Sequence, residues 1–384
     1  MKALYKIVHT SSSTCWEDTE KRILDESVWM VGQGHQVVIV APGKSPLFHK
    51  ARDNGLPVYA LSFKGLARLR EYRELTEILA NEQPYVINVH GRSDAGIALK
   101  AALKAGVPCR IISRHTGARL RNTWQNRHLY KKLSHYVFTS CTRTATTLKQ
   151  TLKLREMDIF SIPCGIVPPE GLLARSEARK TLATELGLDE DTRFIGVLPP
   201  YTRQDLAKVS NALKRIRAQI PHHLVIMATD GCSPTSEWEV SHQELKKRVH
   251  FIPPQTQADT WPFYRALDCG ILLTNRFNSS PMGFIPRSLP EAMYASCPVI
   301  APEADSIADI ITPEKTGLLF DPGAPEQLAE TLSHSLTSEA ATRERVHRAR
   351  ELVKKDYTID TMGRDIIRLY RLHQVKLEKQ YMPG

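Results

Sequence analysis

Short apolar runs alternate with amphipathic stretches along most of the chain. Continuous apolar strands separated by helices are typical of a parallel sheet covered on both faces. The first set of runs therefore predicts one such sheet. Its members are YKIVH near Lys6, VVIV at Val37, YVINVH at Tyr85, CRIIS at Cys109, YVFTS at Tyr136 and DIFSIP at Asp158.

The same pattern restarts in the second half. With 384 residues, the chain is too long for one ordinary core. We therefore predict an α/β protein with two Rossmann-like, doubly wound parallel-sheet domains at 1–170 and 171–356. An amphipathic terminal helix should occupy 357–384. The second set of runs is FIGVL at Phe194, HLVIMA at His223, RVHFI at Arg248, CGILL at Cys269, CPVIA at Cys297 and TGLLF at Thr316.

Composition narrows the classes of protein. The chain is 42% hydrophobic with a mean hydropathy of −0.30, and we find no run of about 18 apolar residues that could span a bilayer. Seven scattered cysteines without a C-x-x-C pair favour a reduced, cytoplasmic compartment and disfavour structural zinc. A net charge of +11 favours an anionic partner, namely nucleic acid, acidic phospholipid or phosphorylated glycolipid.

One segment carries the most specific signal. Gly283 to Met293, GFIPRSLPEAM, resembles the donor-binding element EGxPRSLxEAM of retaining GT-B-fold glycosyltransferases of family 4. The resemblance implies that Glu291 faces the nucleotide ribose. Gly283 stands where the family has a glutamate facing the donor sugar, and Phe284 replaces a glycine. The family resemblance also implies two domains facing a central cleft, and a terminal helix that crosses back to the first domain.

The first βα turn also resembles this family. In TSSSTCWEDTEKRIL, the tryptophan and the ExRIL residues match the pattern WGGxExRIL, but Glu17 and Asp18 replace its two glycines. Carboxylates at a helix start stabilise the helix and disfavour an anionic diphosphate. The T-x-x-E spacing of Thr14 and Glu17 predicts a capping box that opens this helix.

Two histidines follow strands of the first domain. His115, in RIISRHTGAR, matches the family's T-x-H position, which implies a catalytic place near the donor sugar. His90, in NVHGRS, resembles the family's H-x-R-S segment and would lie on the acceptor or sugar side. The alternative for each is a structural histidine that only forms hydrogen bonds.

A basic and aromatic stretch follows His115. We assign Arg114, Arg119 and Arg121 to the acceptor or sugar side. With Trp124 and Tyr130 interleaved, such a face suits a phosphorylated lipid head group or the membrane interface. A solvated helix face is the alternative. No nucleic-acid recognition motif accompanies the charge, so we expect no nucleic-acid partner.

The second domain departs from the family pattern around the donor phosphates. FIGVLPPYTRQDL resembles xxGRLxPxKGxDL, but Val197 and Thr202 stand at the arginine and lysine places. Arg203, one position along, could substitute for the lysine or face solvent. Asp305 and Ser306 replace a glycine pair. The resemblance places on the donor side Glu291, Arg287, Arg203, Thr316 and Gly283.

The resemblance implies a glycosyltransferase of cell-envelope glycan biosynthesis, making lipopolysaccharide or polysaccharide. It would transfer a sugar from a nucleotide-sugar donor with retention to an anionic glycolipid or glycan, with no metal cofactor. We expect a cytoplasmic protein in peripheral contact with the inner membrane. Because donor-site positions have changed, a catalytically inactive pseudo-glycosyltransferase acting as a binding or scaffolding subunit is the alternative. A basic lipid- or nucleic-acid-binding module is a weaker third.

Overall fold

The structure is a computed structural model. It describes residues 4–65, 68–91, 93–115, 120–216, 222–227, 248–252, 257–273 and 284–381. The chain forms two compact units. The first unit contains residues 1–165 and 359–384, and the second unit contains residues 166–358.

The first unit is built on a parallel sheet of seven strands in the order β3-β2-β1-β4-β5-β6-β7. Successive residues of β2 alternate between two hydrophobic clusters: Val38 and Val40 pack in one, and Val37 and Ile39 in the other. Both faces of the sheet are therefore covered. The strands are β1 Lys6–Thr10, β2 Gln36–Ala41, β3 Val58–Ala60, β4 Val86–Val89, β5 Cys109–Arg114, β6 Tyr136–Thr139 and β7 Ile159–Ser161.

Helices connect these strands. The sequence did not predict β3, because it is only three residues long and its side chains are half-buried or exposed. The described helices up to β7 are α1 Asp18–Gly32, α2 Pro46–Asp53, α3 Arg68–Glu82, α4 Ala95–Lys104, α5 Trp124–His128, a π-helical turn Leu129–Leu133, α6 Thr142–Leu152 and a 3₁₀ turn Glu156–Asp158.

The second unit repeats the architecture. Its parallel sheet has the order β10-β9-β8-β11-β12-β13. The strands are β8 Arg193–Leu198, β9 His222–Met227, β10 Val249–Ile252, β11 Cys269–Leu272, β12 Val299–Pro302 and β13 Leu318–Phe320. The described helices are α7 Arg175–Leu186, α8 Arg203–Arg215, α9 Gln257–Ala266, α10 Ser288–Tyr294, α11 Pro325–Thr337 and α12 Glu339–Asp356, with a 3₁₀ turn Ile307–Asp309. The predicted α/β fold with two Rossmann-like sheets is confirmed.

The terminal helix α13, Ile359–Tyr381, packs on α1 of the first unit. Trp29 Nε1 donates a hydrogen bond of 2.6 Å to Asp360 Oδ1. A Cβ at Gly363 would lie 2.3 Å from the Trp29 ring, so the helices approach closely there because this residue has no side chain. Tyr370, further along α13, is fully buried in the core beside β1 and α1.

One local prediction needs correction. The capping box predicted at Thr14 and Glu17 is wrong, because α1 begins at Asp18 and its N-cap is Glu17. The capping interaction lies one turn later, where Glu17 N donates to Glu20 Oε2 at 3.1 Å. Among the residues the structure describes, no helix is long and apolar enough to cross a membrane.

Candidate functional site

Polar side chains stand at the ends of four neighbouring strands in the first unit. His9 is near the end of β1, His90 follows β4, His115 follows β5 and Ser140 follows β6. Because β1, β4, β5 and β6 are consecutive in the sheet, the four side chains follow one another along its carboxyl edge. Ligands of open parallel sheets bind at this edge.

The four side chains form one hydrogen-bonded row, which we call the histidine relay. His9 Nδ1 lies 2.9 Å from His90 Nε2, and His90 Nδ1 lies 2.9 Å from His115 Nε2. His115 Nδ1 lies 3.0 Å from Ser140 Oγ. The ring centroids are 5.1 and 5.2 Å apart, close to the spacing of about 4.8 Å between strands. The pairing of the strands therefore sets the spacing of the relay.

Burial keeps the histidines of the relay neutral. It lowers the pKa of His9 to about 3, with the nearby Arg22 charge as a second cause. Burial also holds the pKa of His90 and of His115 well below the ordinary value. The nitrogens face one another in pairs, and within the described residues no group of three or more His, Cys, Asp or Glu is arranged to hold a metal ion.

A buried carboxyl group lies at the inner end of the relay. Glu26 Oε1 is 3.7 Å from His9 Nε2, and both side chains are fully buried. Glu26 Oε2 is 3.8 Å from Arg22 Nε, and Arg22 also donates to the carbonyl of Ile162 at 2.9 Å. Burial raises the pKa of Glu26 to about 7, although the charge of Arg22 opposes the rise. Glu26 can therefore change its charge near neutral pH.

A second buried carboxyl group lies beside the same edge. Asp94 is fully buried immediately before α4, and Thr10 Oγ1 donates to its Oδ2 at 2.6 Å. Burial raises the pKa of Asp94, opposed by hydrogen bonds from Thr10 and Ser12. A Cβ at Gly91 would lie only 2.0 Å from Asp94 Oδ1. The loop after β4 can therefore approach Asp94 so closely only because residue 91 is a glycine.

In the second unit, the place of the family's lysine is a helix cap. Thr202 Oγ1 donates to Asp205 Oδ2 at 2.7 Å and accepts from Asp205 N at 3.3 Å. Thr202 N also donates to Asp205 Oδ2, at 2.9 Å. Val197, at the arginine place, is fully buried in the core. Both positions therefore serve the local structure of this unit.

The predicted donor residues Arg287 and Glu291 contact each other. Arg287 Nε donates to Glu291 Oε1 at 2.6 Å across one turn at the start of α10. The two residues are only 3% and 8% exposed. A ribose hydroxyl that bound Glu291 would therefore share the carboxylate with Arg287.

Thr316 holds the loop before β13. Its hydroxyl accepts from Thr312 N at 2.8 Å and donates to the carbonyl of Ile310 at 3.1 Å. These bonds join Thr316 to the segment just after the 3₁₀ turn. The hydroxyl group of Thr316, a predicted donor residue, thus forms its hydrogen bonds with the backbone of its own loop.

The remaining predicted residues are placed only in part. Arg203 is the first residue of α8, but its side chain lies outside the described residues, as do Gly283 and Arg119. Arg114 ends β5 and is half-buried, whereas Arg121 is exposed. Of the residues predicted on the acceptor or sugar side, the structure therefore brings His90 and His115 together.

The basic and aromatic face contains one aromatic residue fewer than predicted. Trp124 is 72% exposed and stacks on His128, with centroids 5.5 Å apart. Tyr130 is buried among apolar residues under the π-helical turn, so its assignment to this face is wrong. The exposed basic side chains beside Trp124 are Arg121, Arg127, Lys131 and Lys132.

Three residues at this edge, His9, Glu26 and Ser140, were not predicted from the sequence. The signal for His9 was present: a histidine lies at or just beyond the end of each of three apolar runs, in KIVHT, VINVH and CRIISRH. Parallel strands place such residues at one edge. Glu26 had no such signal, because a glutamate within an amphipathic helix is usually solvated.

Comparisons with known proteins agree with this architecture. The sequence model of Glycosyltransferase Family 4 matches residues 19–168, and that of Glycosyl transferases group 1 matches residues 190–338. A D-inositol 3-phosphate glycosyltransferase of Salinispora arenicola is 28% identical over 173 residues, which cover 42% of this chain and 37% of the relative. The match thus spans little more than a third of that relative's length.

Two solved structures share the fold. Anabaena Alr3699/HepE, in complex with UDP-glucose, superposes with a TM-score of 0.73 at 15% identity, covering 95% of this chain and 98% of that chain. The lipopolysaccharide outer core galactosyltransferase WaaB, in its apo form, superposes with a TM-score of 0.67 at 16% identity, covering 95% of this chain and 98% of that chain. One family model falls on each sheet and the whole architecture is shared, so the chain belongs to the GT-B-fold glycosyltransferases of the family 4 type.

Proposed function

We propose that the protein transfers a sugar, with retention, from a nucleotide-sugar donor to a hydroxyl group of an anionic cell-envelope glycan or glycolipid. The observation that carries the proposal is the position of His115. It lies at the carboxyl end of β5, held on both ring nitrogens by His90 and Ser140. The family resemblance implies a place near the donor sugar for this residue. The two bonds fix the orientation of the ring in advance of binding.

In this reaction the leaving diphosphate accepts the proton of the acceptor hydroxyl, and His115 orients the sugar. Neither step uses a metal ion or a covalent nucleophile. Glu291 binds the ribose through its carboxylate, which Arg287 holds in place. An ion-paired carboxylate in a fixed rotamer can accept ribose hydroxyls with little loss of side-chain entropy.

The charge of the chain supports an anionic acceptor. The net charge is +11, and several exposed basic side chains lie within eight residues of the exposed Trp124 in the sequence. This face would bind the phosphorylated part of a lipopolysaccharide or polysaccharide intermediate at the inner face of the membrane. The Salinispora relative is named for D-inositol 3-phosphate, and WaaB for the lipopolysaccharide outer core. The same proposal gives a cytoplasmic location and no nucleic-acid partner.

A catalytically inactive pseudo-glycosyltransferase is the second candidate. The observation that favours it is in the second unit, where Thr202 stands at the lysine place and bonds to Asp205. Each charged hydrogen bond to a diphosphate is worth roughly 1.5 to 3 kcal/mol. Losing two would weaken donor binding by about 10³-fold.

Titration calorimetry with UDP, GDP and ADP tests both candidates. Micromolar affinity for one of them, unchanged by EDTA, is the expected result for an active, metal-independent enzyme. Glu291→Gln should weaken that binding by roughly tenfold or more. The matched control is Glu330→Gln, which changes an exposed glutamate of α11. Absence of binding at millimolar nucleotide would overturn the active candidate and support the second one.

A further inference from the structure

The histidine relay has only two ways to place its hydrogens. Each neutral imidazole carries one N–H and one bare nitrogen. Each of the two contacts between histidines, at 2.9 Å, needs one donor and one acceptor. Once His9 has its hydrogen on a given nitrogen, His90 and then His115 must carry theirs on the same one. The three rings therefore change tautomer together.

The two arrangements differ at both ends of the relay. With hydrogen on each Nδ1, His115 donates to Ser140 Oγ, and His9 turns a bare Nε2 towards Glu26. With hydrogen on each Nε2, His9 turns an N–H towards Glu26, and Ser140 donates its hydroxyl hydrogen to His115 Nδ1. In the first arrangement, the Ser140 hydroxyl hydrogen is free to be donated elsewhere.

The charge of Glu26 distinguishes the two arrangements. A carboxylate 3.7 Å from His9 Nε2 attracts an N–H and repels a bare nitrogen, and burial strengthens both effects. The other ionisable groups around Glu26 are Arg22, one turn earlier on α1, and Tyr370 on α13. Arg22 keeps a constant charge. Burial, followed by the charge of Glu26, raises the pKa of Tyr370, so Tyr370 stays neutral.

We propose that Glu26 is a positioning residue, whose charge state, transmitted through His9 and His90, selects the ring nitrogen of His115 that carries hydrogen. Ionised Glu26 gives the Nε2–H form of His115 and engages the Ser140 hydroxyl hydrogen. Neutral Glu26 gives the Nδ1–H form of His115 and releases the Ser140 hydroxyl hydrogen. The released hydroxyl hydrogen of Ser140 then bonds to a substrate oxygen. Only this last consequence rests on the proposed glycosyl transfer.

The matched test is ¹⁵N NMR of protein labelled in its histidine rings, recorded without substrate. The His115 signals are assigned with a His115→Gln variant. As pH rises from 6 to 8, we expect Nδ1 of His115 to shift from the pyrrole-type to the pyridine-type range, and Nε2 the opposite way. The midpoint should lie near the Glu26 pKa of about 7. Glu26→Gln should abolish the shift.

The control is Glu71→Gln. Glu71 is also buried in the first unit, but it accepts from Ser62 N and Oγ, at 2.7 and 2.6 Å, and is not part of the relay. The Glu71→Gln substitution should leave the pH-dependent shift of the His115 nitrogens unchanged. His9→Gln, which removes the ring between Glu26 and His90, should also abolish the pH dependence, and it serves if Glu26→Gln does not fold.

The proposal is overturned if the His115 nitrogens keep their ranges from pH 6 to 8 in the unmodified protein, or if Glu26→Gln titrates as that protein does. Because no substrate is present, these outcomes do not depend on whether the protein transfers a sugar. Where transfer is detected, Glu26→Gln should also lose the limb of the kcat/KM profile near pH 7. A residue that only supported the fold would lower the whole profile and leave its midpoint in place.

Discussion

The carboxyl edges of the two sheets use polar side chains in different ways. In the first unit, polar groups contact residues far away in sequence: His9 reaches His90 across 81 positions, and Thr10 reaches Asp94 across 84. In the second unit, Thr202 bonds to Asp205 three residues later, and Arg287 bonds to Glu291 four residues later. The first edge therefore carries a long-range network that joins side chains to one another. At the second edge the side-chain pairs Thr202–Asp205 and Arg287–Glu291 are local, and the long-range bonds run from hydroxyl groups to backbone carbonyls, from Tyr201 to Met227 and from Ser288 to Pro199.

This difference favours a functional role for the buried network of the first edge and a structural role for the Thr202 cap of the second. Burying ionisable side chains costs free energy, and groups with strongly perturbed pKa cluster at functional sites. A helix cap such as Thr202 contributes to stability wherever it occurs. The family motifs lie mainly in the second unit. The buried, hydrogen-bonded histidines with lowered pKa lie in the first.

The largest effect on stability should come from Gly91→Ala. The new Cβ would lie 2.0 Å from Asp94 Oδ1 and 2.4 Å from Ser12 Oγ. Because Asp94 is fully buried, its carboxyl group has little room to move. Overpacking of this kind costs about 1 to 3 kcal/mol, and we expect the upper end. Urea unfolding followed by circular dichroism measures the loss.

Gly96→Ala is the control for this substitution. Gly96 lies near the start of α4, and nothing lies within 4 Å of the position its Cβ would take. Alanine is better than glycine in a helix by up to about 1 kcal/mol. Gly96→Ala should therefore be neutral or stabilising. Equal losses for both variants would show that the network around Asp94 is not tightly packed.

His9→Gln should reduce the acid sensitivity of the protein. The pKa of His9 is lowered to about 3, so below pH 6.5 the unfolded chain binds a proton that the folded protein does not. The contribution of neutral, buried His9 to the free energy of unfolding is therefore complete above pH 6.5 and is lost as pH falls. Between pH 7 and pH 5 the loss is about 2 kcal/mol, and His9→Gln should remove it.

Glu26 acts in the opposite direction. Its pKa is raised from an ordinary value of 4.5 to about 7, so between these pH values the folded protein keeps a proton that the unfolded chain releases. Stability therefore falls as pH rises from about 4.5 to about 7 and recovers as pH falls through the same range. Comparing each variant at pH 7 and pH 5 isolates the His9 contribution from this background. The control is His49→Gln, which replaces an exposed histidine and should leave the difference between the two pH values unchanged. A His9→Gln protein as acid-sensitive as the unmodified one would argue against a neutral, buried His9.

Local patterns were enough to predict most of the fold. The apolar runs at Val37 and Cys109 became β2 and β5, because a strand buried on both faces must be continuously apolar. The predictions failed where tertiary context decides. Val58–Ala60 is too short and too exposed to show a pattern. Tyr130 is buried because its ring packs in the hydrophobic core of the first unit, although the next two residues in the sequence are basic.

The candidate site was less accessible from sequence. His90 and His115 were found one at a time, as residues that follow strands, and their contact depends on β4 pairing with β5. His9 joins them because β1 pairs with β4, a pairing that no local pattern shows. Glu26 required knowledge of which face of α1 is buried. The histidines of the relay therefore meet because of the order of the strands in the sheet, which the spacing of residues in the sequence does not reveal.

The smallest effect should come from Thr202→Ala, which tests whether the second edge is local. Loss of this cap should cost about 1 kcal/mol of stability and leave nucleotide affinity unchanged, because the Thr202 hydroxyl is occupied by Asp205. The control is Thr331→Ala in α11, where the hydroxyl bonds only to the backbone of Gln327 and alanine is a better helix former. Urea unfolding and calorimetry with UDP measure the two quantities. If Thr202→Ala changed UDP affinity while stability stayed constant, Thr202 would be a donor contact, and the contrast between the two edges would fail at this position.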